Sequence, residues 1–306
     1  MGAVKDTAFL GIRQCVSGVK KHFPGAKFAP MRGEFVDVGG TRLYYYAAGS
    51  RGGGDPMLLL HGFPGSSHSW RHIVPLMPDG RRLVVMDLMG SGRSDGPRKP
   101  NAAPCTIATH TALVRGLLDD LAITRCAIVG HGLGGVIAQA LTVEQPARVS
   151  GLALISAFGF DVWPRRLARL ARAAIPLGRW LGGSVLASFV HGSAIRGYSD
   201  RDEGRRSLDH SLRAYAAHLG THAILAQLQA TRDPAIQAIG ARLGELAVPT
   251  AVICGADDPF LPRTIGERLQ AAIHGATLDV IPGAGHFVME DAPERCATAI
   301  QTALAH

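Results

Sequence analysis

The chain is poor in cysteine and has no cysteine motif. Its 306 residues include 5 cysteines, an odd number, and none of them forms a C-x-x-C pair. This argues against a disulfide framework and against a metal site built from cysteine pairs. Cys126 and Cys254 lie in apolar runs that are typical of central strands. We therefore interpret the cysteines as reduced thiols and expect a cytoplasmic location.

Long apolar runs are missing as well. No run reaches the roughly 18 residues that a membrane-spanning helix needs, and no secretory signal follows the first methionine. We therefore expect no transmembrane segment. Residues 5–23 instead place apolar side chains at spacings of three and four, with basic residues off that stripe, which predicts an amphipathic helical extension over residues 1–30. This helix either packs on its own domain or makes a peripheral contact with a membrane surface.

Basic residues outnumber acidic ones, but they are not organised for nucleic acid. The net charge of +8 comes without long runs of lysine or arginine and without a nucleic-acid-binding motif, so we expect no nucleic-acid partner. No cluster of metal-ligand residues is evident in the sequence. Gly130, Gly132 and Gly134 lack the G-x-G-x-x-G spacing of a dinucleotide site. The sequence therefore predicts neither a metal ion nor a cofactor.

Strands and helices alternate through most of the chain. Three strand-like runs come first, separated by glycine-rich turns, which suits an antiparallel start to a sheet. Unbroken apolar strands then alternate with helices, which predicts a parallel sheet covered on both faces. The predicted strands are Glu34–Val38, Arg42–Ala47, Met57–Leu60, Arg82–Met86, Ala127–Val129, Gly151–Ile155, Thr250–Cys254 and Thr277–Ile281.

The alternation is interrupted between residues 158 and 240. This region has helical periodicity and no convincing strand, so we predict a helical cap inserted into a core domain formed by residues 31–157 and 241–306. The last helix of the core is predicted to begin with Asp291 as its N-cap, followed by an early proline and a carboxylate. The other core helices are predicted near Thr106–Leu121, Leu133–Glu144 and Arg263–Ile273.

Five motifs follow predicted strands, and their order carries a resemblance. They are His61–Gly65, Asp87–Asp95, Gly130–Gly134, Gly255–Pro259 and Pro282–Phe287. In order and spacing they resemble the α/β-hydrolase superfamily, from about Glu34 to the C-terminus. The resemblance implies an α/β fold with a mostly parallel eight-stranded sheet, helices on both faces and a helical cap insertion.

The resemblance also implies a catalytic pair. His286 matches the family's catalytic histidine, and Asp258 matches the acid that orients it. Asp257 is the neighbouring candidate for the acid. Structural alternatives stay open for both residues, because Asp258 could cap the helix near Pro262 and His286 could be a loop histidine without a chemical role.

Glycine stands where the family has its nucleophile. The stretch Gly130–Gly134 reads Gly-His-Gly-Leu-Gly where the usual pattern is G-x-S-x-G, so the reactive hydroxyl is absent at Gly132. The backbone N–H groups of Phe63 and Leu133 are expected to form the oxyanion hole, because a side-chain change leaves them in place. Glycine adopts the strained backbone of the elbow freely, so we expect the fold to be kept.

Three functions remain open at this point. In the first, His286 with Asp258 acts as a general base on water or on an acidic proton of a small, largely apolar carbonyl substrate, giving hydrolysis, lyase-type cleavage or cyclisation. In the second, the chain is a non-catalytic module that binds a small molecule. In the third, it is a serine hydrolase disabled at Gly132. Trp163 and Phe189 are the candidates for substrate binding in the cap.

Overall fold

The computed structural model describes residues 33–50, 54–97, 105–160 and 183–304. The predicted amphipathic helix of residues 5–23 and the substrate-binding candidate Trp163 lie outside these ranges, so both stay predictions. Within the described ranges, no helix is both long enough and apolar enough to cross a membrane.

Eight strands form a single sheet. They are β1 (Gly33–Val38), β2 (Thr41–Ala48), β3 (Met57–Leu60), β4 (Leu83–Met86), β5 (Cys126–His131), β6 (Val149–Ile155), β7 (Thr250–Gly255) and β8 (Thr277–Ile281). Their order in the sheet is β1-β2-β4-β3-β5-β6-β7-β8. Only the pairs β1–β2 and β2–β4 are antiparallel, so β2 alone among these strands runs against the others. The predicted mostly parallel eight-stranded sheet is confirmed, and every predicted strand overlaps an observed one.

Helices cover both faces of the sheet. They are α1 (Ile107–Asp120), α2 (Leu133–Glu144), α3 (Gly183–Ala194), α4 (Arg201–Ala214), α5 (Gly220–Ala230), α6 (Ala235–Ala241), α7 (Arg263–Ala272), α8 (Val288–Asp291) and α9 (Pro293–Ala303). Strands β3, β4, β5 and β7 are buried along their whole length, as expected for a parallel sheet between two helical layers. Successive side chains of a strand point to opposite faces, so Val129 lies in the same apolar core as Ile300 of α9, and Ile128 lies in the other core with Val136 of α2.

Helices α3 to α6 lie between β6 and β7 in the chain. The described part of this stretch contains no strand, which agrees with the predicted helical insertion. Leu186 of α3 and Leu212 of α4 are buried in the same apolar cluster as Val129 of β5. Helices α3 and α4 therefore pack on the face of the sheet that α9 also covers, whereas Ile236 of α6 lies in the core of the opposite face. The domain boundaries assigned from the sequence stay a prediction.

The C-terminal helices differ from the prediction. A short helix, α8, precedes α9, and the N-cap residue of α9 is Ala292, which caps it without a side-chain hydrogen bond. The predicted N-cap role of Asp291 is therefore wrong. Since Asp291 is already the last residue of α8, it comes one residue too early to cap α9. Its carboxylate instead accepts hydrogen bonds from the N–H groups of Gly285 and Ser199.

Candidate active site

Four of the sequence motifs meet at one edge of the sheet. Strands β3, β5, β7 and β8 are parallel, so their carboxyl ends lie on the same side. His61 and Gly132 directly follow β3 and β5, and the loops after β7 and β8 carry Asp258 and His286. In open α/β sheets, ligands bind at the carboxyl ends of the strands. The topology thus brings the predicted site residues to the edge where a ligand site is expected.

The turn between β5 and α2 holds Gly132 in a conformation that favours glycine. Its backbone has φ +51° and ψ −114°, which residues with a side chain rarely adopt. Its N–H donates to the carbonyl oxygen of Ile155 on β6 across 3.1 Å, and its own carbonyl accepts from Gly135 and Val136 in the first turn of α2. The sharp strand-to-helix turn expected from the motif is therefore present.

Gly132 differs from the glycines around it in the space above it. A Cβ atom at Gly130 would stand 2.5 Å from the carbonyl oxygen of Gly134, so close packing requires glycine there. A Cβ atom at Gly132 would meet only the Cα of Gly62 at 3.7 Å and Nε2 of His286 at 3.9 Å, both ordinary van der Waals distances. The space over residue 132 fits a small side chain and opens on the imidazole.

His286 and Asp258 form a hydrogen-bonded pair. Nδ1–H of His286 donates to Oδ2 of Asp258 across 2.8 Å, and the side chains are 11% and 2% exposed, respectively. Burial raises the pKa of the Asp258 carboxyl, but the charge and hydrogen bond of His286, together with backbone N–H donors, lower that pKa below its ordinary value. The ionised carboxylate therefore holds the ring with its Nδ1 protonated.

The second oxygen of Asp258 stabilises the loop that carries it. Oδ1 accepts hydrogen bonds from the N–H groups of Phe260 at 2.8 Å and Leu261 at 3.0 Å. The helix that begins at Arg263 has Pro262 as its N-cap residue and no side-chain cap, so Asp258 does not cap it. One oxygen of Asp258 binds the backbone of its own loop, and the other binds His286. Asp257, the alternative acid, is exposed.

The main chain of His286 is held on both sides. Its N–H donates to the carbonyl oxygen of Gly197 across 2.7 Å, and its carbonyl oxygen accepts from Nε2–H of His131 across 3.1 Å. With Nδ1 bound to Asp258, Nε2 is the one polar atom of His286 without a hydrogen-bond partner among the described residues. Of the ring atoms of His286, this free nitrogen is also the one nearest the space over Gly132.

The two backbone N–H groups predicted for the oxyanion hole are available. In the part of the chain that the structure describes, neither the N–H of Phe63 nor that of Leu133 donates a hydrogen bond. Leu133 is the first residue of α2, where N–H groups have no intrahelical acceptor and the helix dipole favours negative charge. Both amides are therefore free to donate hydrogen bonds to an anionic oxygen.

His61 and His131 bind the backbone of the site. Nε2 of His61 accepts the N–H of Leu88 across 3.0 Å, and its Nδ1 lies 2.8 Å from the carbonyl oxygen of Gly62. Burial lowers the pKa of both histidines, in His131 to well below the ordinary value, so both rings are neutral near pH 7. These contacts give both histidines a structural role, because each side chain binds backbone groups of the site.

A buried ion pair behind the site was not visible in the sequence. Arg71 follows the short helix after the His61 motif, and its NH1 lies 2.7 Å from Oε2 of Glu290 on α8, whose side chain is 0% exposed. NH2 of Arg71 also contacts Glu203 of α4, and the Tyr198 hydroxyl donates to Glu290 across 3.0 Å. Burial lowers the pKa of Arg71, but the two carboxylates raise it above its ordinary value. Sequence patterns carry no signal for partners this far apart in the chain.

The predicted substrate contact from Phe189 stays a prediction. Phe189 lies on α3, where its side chain is 44% exposed and that of Val185, one helical turn earlier, is 53% exposed.

The described residues contain no group of three or more histidine, cysteine, aspartate or glutamate side chains that could hold a metal ion.

The chain belongs to the α/β hydrolase fold family, whose model matches residues 55–293. It is 31% identical over 237 residues to a Variovorax paradoxus protein provisionally described as carbamate hydrolase RutD, covering 76% of this chain and 85% of that protein. It is 29% identical over 286 residues to haloalkane dehalogenase 2 of Mycobacterium bovis, covering 90% and 96%. An α/β hydrolase fold protein from Burkholderia ambifaria, 25% identical, matches with a TM-score of 0.78 over 88% of this chain and 97% of that one.

Proposed function

We propose that this chain is an enzyme of the α/β-hydrolase fold in which His286, oriented by Asp258, is the general base and no serine nucleophile takes part. The observation that carries the proposal is the free Nε2 of His286, 3.9 Å from the position that a Cβ atom of residue 132 would occupy. The ring has a proton acceptor facing a space large enough for a water molecule or a substrate oxygen. That arrangement suits general-base catalysis without an acyl-enzyme.

The hydrolytic step follows from these atoms. Nε2 of His286 removes a proton from water as the water oxygen bonds to the substrate carbonyl carbon, and the carbonyl electron pair moves onto its oxygen. The N–H groups of Phe63 and Leu133 stabilise that oxyanion, and Asp258 stabilises the imidazolium. The electron pair then returns, the bond to the leaving group breaks, and the imidazolium protonates the leaving group.

An acidic proton on the substrate could replace the water in this scheme. Nε2 of His286 would then take a proton from an O–H group or from a C–H group next to a carbonyl, and the electron pair left behind would expel a leaving group or close a ring. The names of the two relatives refer to carbamate and haloalkane chemistry, so similarity does not select one reaction. Hydrolysis, lyase-type cleavage and cyclisation therefore share one base in the proposal.

The substrate in this proposal is a small, largely apolar carbonyl compound bound between the sheet edge and the helical cap. Trp163 and Phe189 are proposed to contact it, and neither a cofactor nor a metal is proposed to take part. The described cysteines are buried and form no disulfide, which supports a cytoplasmic location. Residues 5–23 are proposed to pack on the domain, with peripheral membrane contact as the alternative.

A second candidate function has a specific observation in its favour. The contacts of 3.7 and 3.9 Å around a Cβ atom at residue 132 would accommodate serine without steric overlap. The site could therefore be a serine hydrolase that lacks only its hydroxyl. If Gly132→Ser creates strong activity on simple activated esters, while the natural chain turns over no carbonyl substrate, this candidate replaces the first.

The test of the main proposal is turnover in matched histidine variants. A panel of aryl esters, lactones and 1,3-dicarbonyl compounds identifies a substrate of the natural chain. His286→Ala should then lower kcat by roughly 10²–10⁴-fold, because that is the typical contribution of a positioned general base. His274→Ala, at an exposed position after α7, is the control and should leave kcat unchanged. Full turnover in His286→Ala would contradict the proposal.

A further inference from the structure

Asp291 binds the loop of His286 and the helical insertion at the same time. Its Oδ2 accepts the N–H of Gly285, the residue before His286, across 2.8 Å. Both carboxylate oxygens also lie within hydrogen-bond distance of the N–H of Ser199, at 3.1 and 3.2 Å. Hydrogen bonds to a charged acceptor are stronger than those between neutral groups. One side chain therefore ties two segments that are far apart in the chain.

The segment of residues 197–199, which we call the insertion strap, lies between α3 and α4 and makes further contacts with the same loop. The carbonyl oxygen of Gly197 accepts the N–H groups of His286 at 2.7 Å and Phe287 at 3.4 Å. The hydroxyl of Ser199 donates to the carbonyl oxygen of Gly283 across 2.6 Å. The strap is thus bonded to the loop before His286 and at His286 itself.

The packing between the insertion strap and the catalytic pair leaves little room for displacement. A Cβ atom at Gly197 would stand 2.6 Å from the ring of Phe260 and 3.0 Å from the Cβ of His286. The Phe260 ring packs edge-on against the His286 ring, with centroids 5.3 Å apart. The backbone N–H of Phe260 donates to Oδ1 of Asp258. The strap therefore lies against His286 itself and against Phe260, the residue whose N–H binds Asp258.

We propose that Asp291 is a positioning residue, which holds the insertion strap against Gly285 and thereby keeps Nε2 of His286 facing the space over Gly132. The inference rests on the proposed function only in naming His286 as the base. Burial raises the pKa of Asp291, although the N–H groups of Gly285 and Ser199 lower it. The carboxylate is thus partly removed from water, where its hydrogen bonds are electrostatically stronger.

Loss of this carboxylate should disturb the imidazole more than it disturbs substrate binding. Asp291→Ala leaves the N–H groups of Gly285 and Ser199 without their acceptor and lets the strap move relative to His286. Because small misplacements of reacting groups are costly, we expect kcat to fall on the order of 10- to 100-fold. KM should change by less than about 3-fold, since the substrate makes no contact with Asp291 in this proposal.

The direct measurement is the state of the His286 ring, which needs no substrate. Long-range ¹H–¹⁵N spectra of ¹⁵N-labelled protein distinguish imidazole tautomers, and His286→Gln identifies the signals of this histidine. In the natural chain we expect one set of signals with Nδ1 protonated. In Asp291→Ala we expect a second set or broadened signals, with a smaller effect in Asp291→Asn, which keeps one acceptor oxygen.

Asp279→Ala is the matched control, because Asp279 is a half-exposed carboxylate on β8 whose nearest cation, on Arg295, lies 3.7 Å away. It should leave the His286 signals unchanged. A folded Asp291→Ala variant whose His286 signals and kcat equal those of the natural chain would overturn the proposal. If that variant does not fold, Asp291→Asn decides in the same way. Altered signals in a protein without turnover would contradict the proposed function and leave the positioning role supported.

Discussion

Replacing Gly132 by alanine should destabilise the protein although the space for a methyl group is free. The new Cβ would meet Gly62 and His286 only at 3.7 and 3.9 Å, so no steric overlap arises. The cost comes from the backbone, because holding a residue with a side chain at φ +51° costs about 1–3 kcal/mol. Reduced freedom of the unfolded chain offsets about 0.4–1 kcal/mol. We expect the free energy of unfolding to fall by about 1–2 kcal/mol.

Gly132→Ser separates the backbone strain from the contact with His286. Serine meets the same strain as alanine, but its hydroxyl can donate to Nε2 of His286. A hydrogen bond of this kind contributes about 0.5–1.5 kcal/mol, so the serine variant should be more stable than the alanine variant by that amount. Gly275→Ala is the matched control for strain alone, because Gly275 has φ +73° and a Cβ there would meet nothing within 4 Å.

Urea unfolding followed by circular dichroism measures the free energies of the natural chain and the three variants. Should Gly132→Ala be as stable as the natural chain while Gly275→Ala is destabilised, the elbow does not impose its left-handed backbone and the reasoning is refuted. Equal stabilities of the serine and alanine variants at residue 132 would contradict the position assigned to Nε2 of His286.

Three further predictions concern the surroundings of the site. Arg71→Leu should lower the free energy of unfolding, measured by urea unfolding, by about 3–5 kcal/mol, because the fully buried side chain of Glu290 loses its cation. Arg242→Ala, at an exposed ion pair, is the control and should leave that free energy nearly unchanged. Gly134→Ala should cost about 1–3 kcal/mol or more by the same assay, since its Cβ would overlap a backbone carbonyl oxygen. The lowered pKa of Asp258 means that its carboxylate stabilises the fold above pH of about 4 and that this contribution is lost as the pH falls through the lowered value. The stability difference between the natural chain and Asp258→Asn should therefore shrink when urea unfolding is repeated at acidic pH.

The sheet and the motifs were predictable because their signals are local. Apolar runs such as Met57–Leu60 and Ala127–Val129, bounded by glycine-rich turns, indicate buried strands. The acidic partner of His286 could also be predicted, because the motif at Gly255–Pro259 contains Asp258, the acid that the resemblance implies. What these features share is that a few neighbouring residues determine each of them.

The contacts that orient the site could not be found in the same way. Ser199 and Asp291 are 92 positions apart, and their contact depends on how the insertion packs against the loop after β8. Locally, the stretch from Asp291 to Glu294 has the composition of a helix N-terminus, so the local rule predicted a cap. The rule failed because α8 inserts a helical turn before α9, and tertiary contacts gave the carboxylate other partners.

The two oxygens of Asp258 bear differently on the question of catalysis. Oδ1 accepts two backbone N–H groups of its own turn, so a purely structural role would already account for an aspartate at this position. The turn, however, needs neither His286 nor a ring whose Nε2 faces Gly132. The orientation of the imidazole therefore supports a chemical role more strongly than the presence of the acid does. Changes at His286 and Asp291 are for this reason sharper tests of the mechanism than changes at Asp258, which would disturb a turn and a base together.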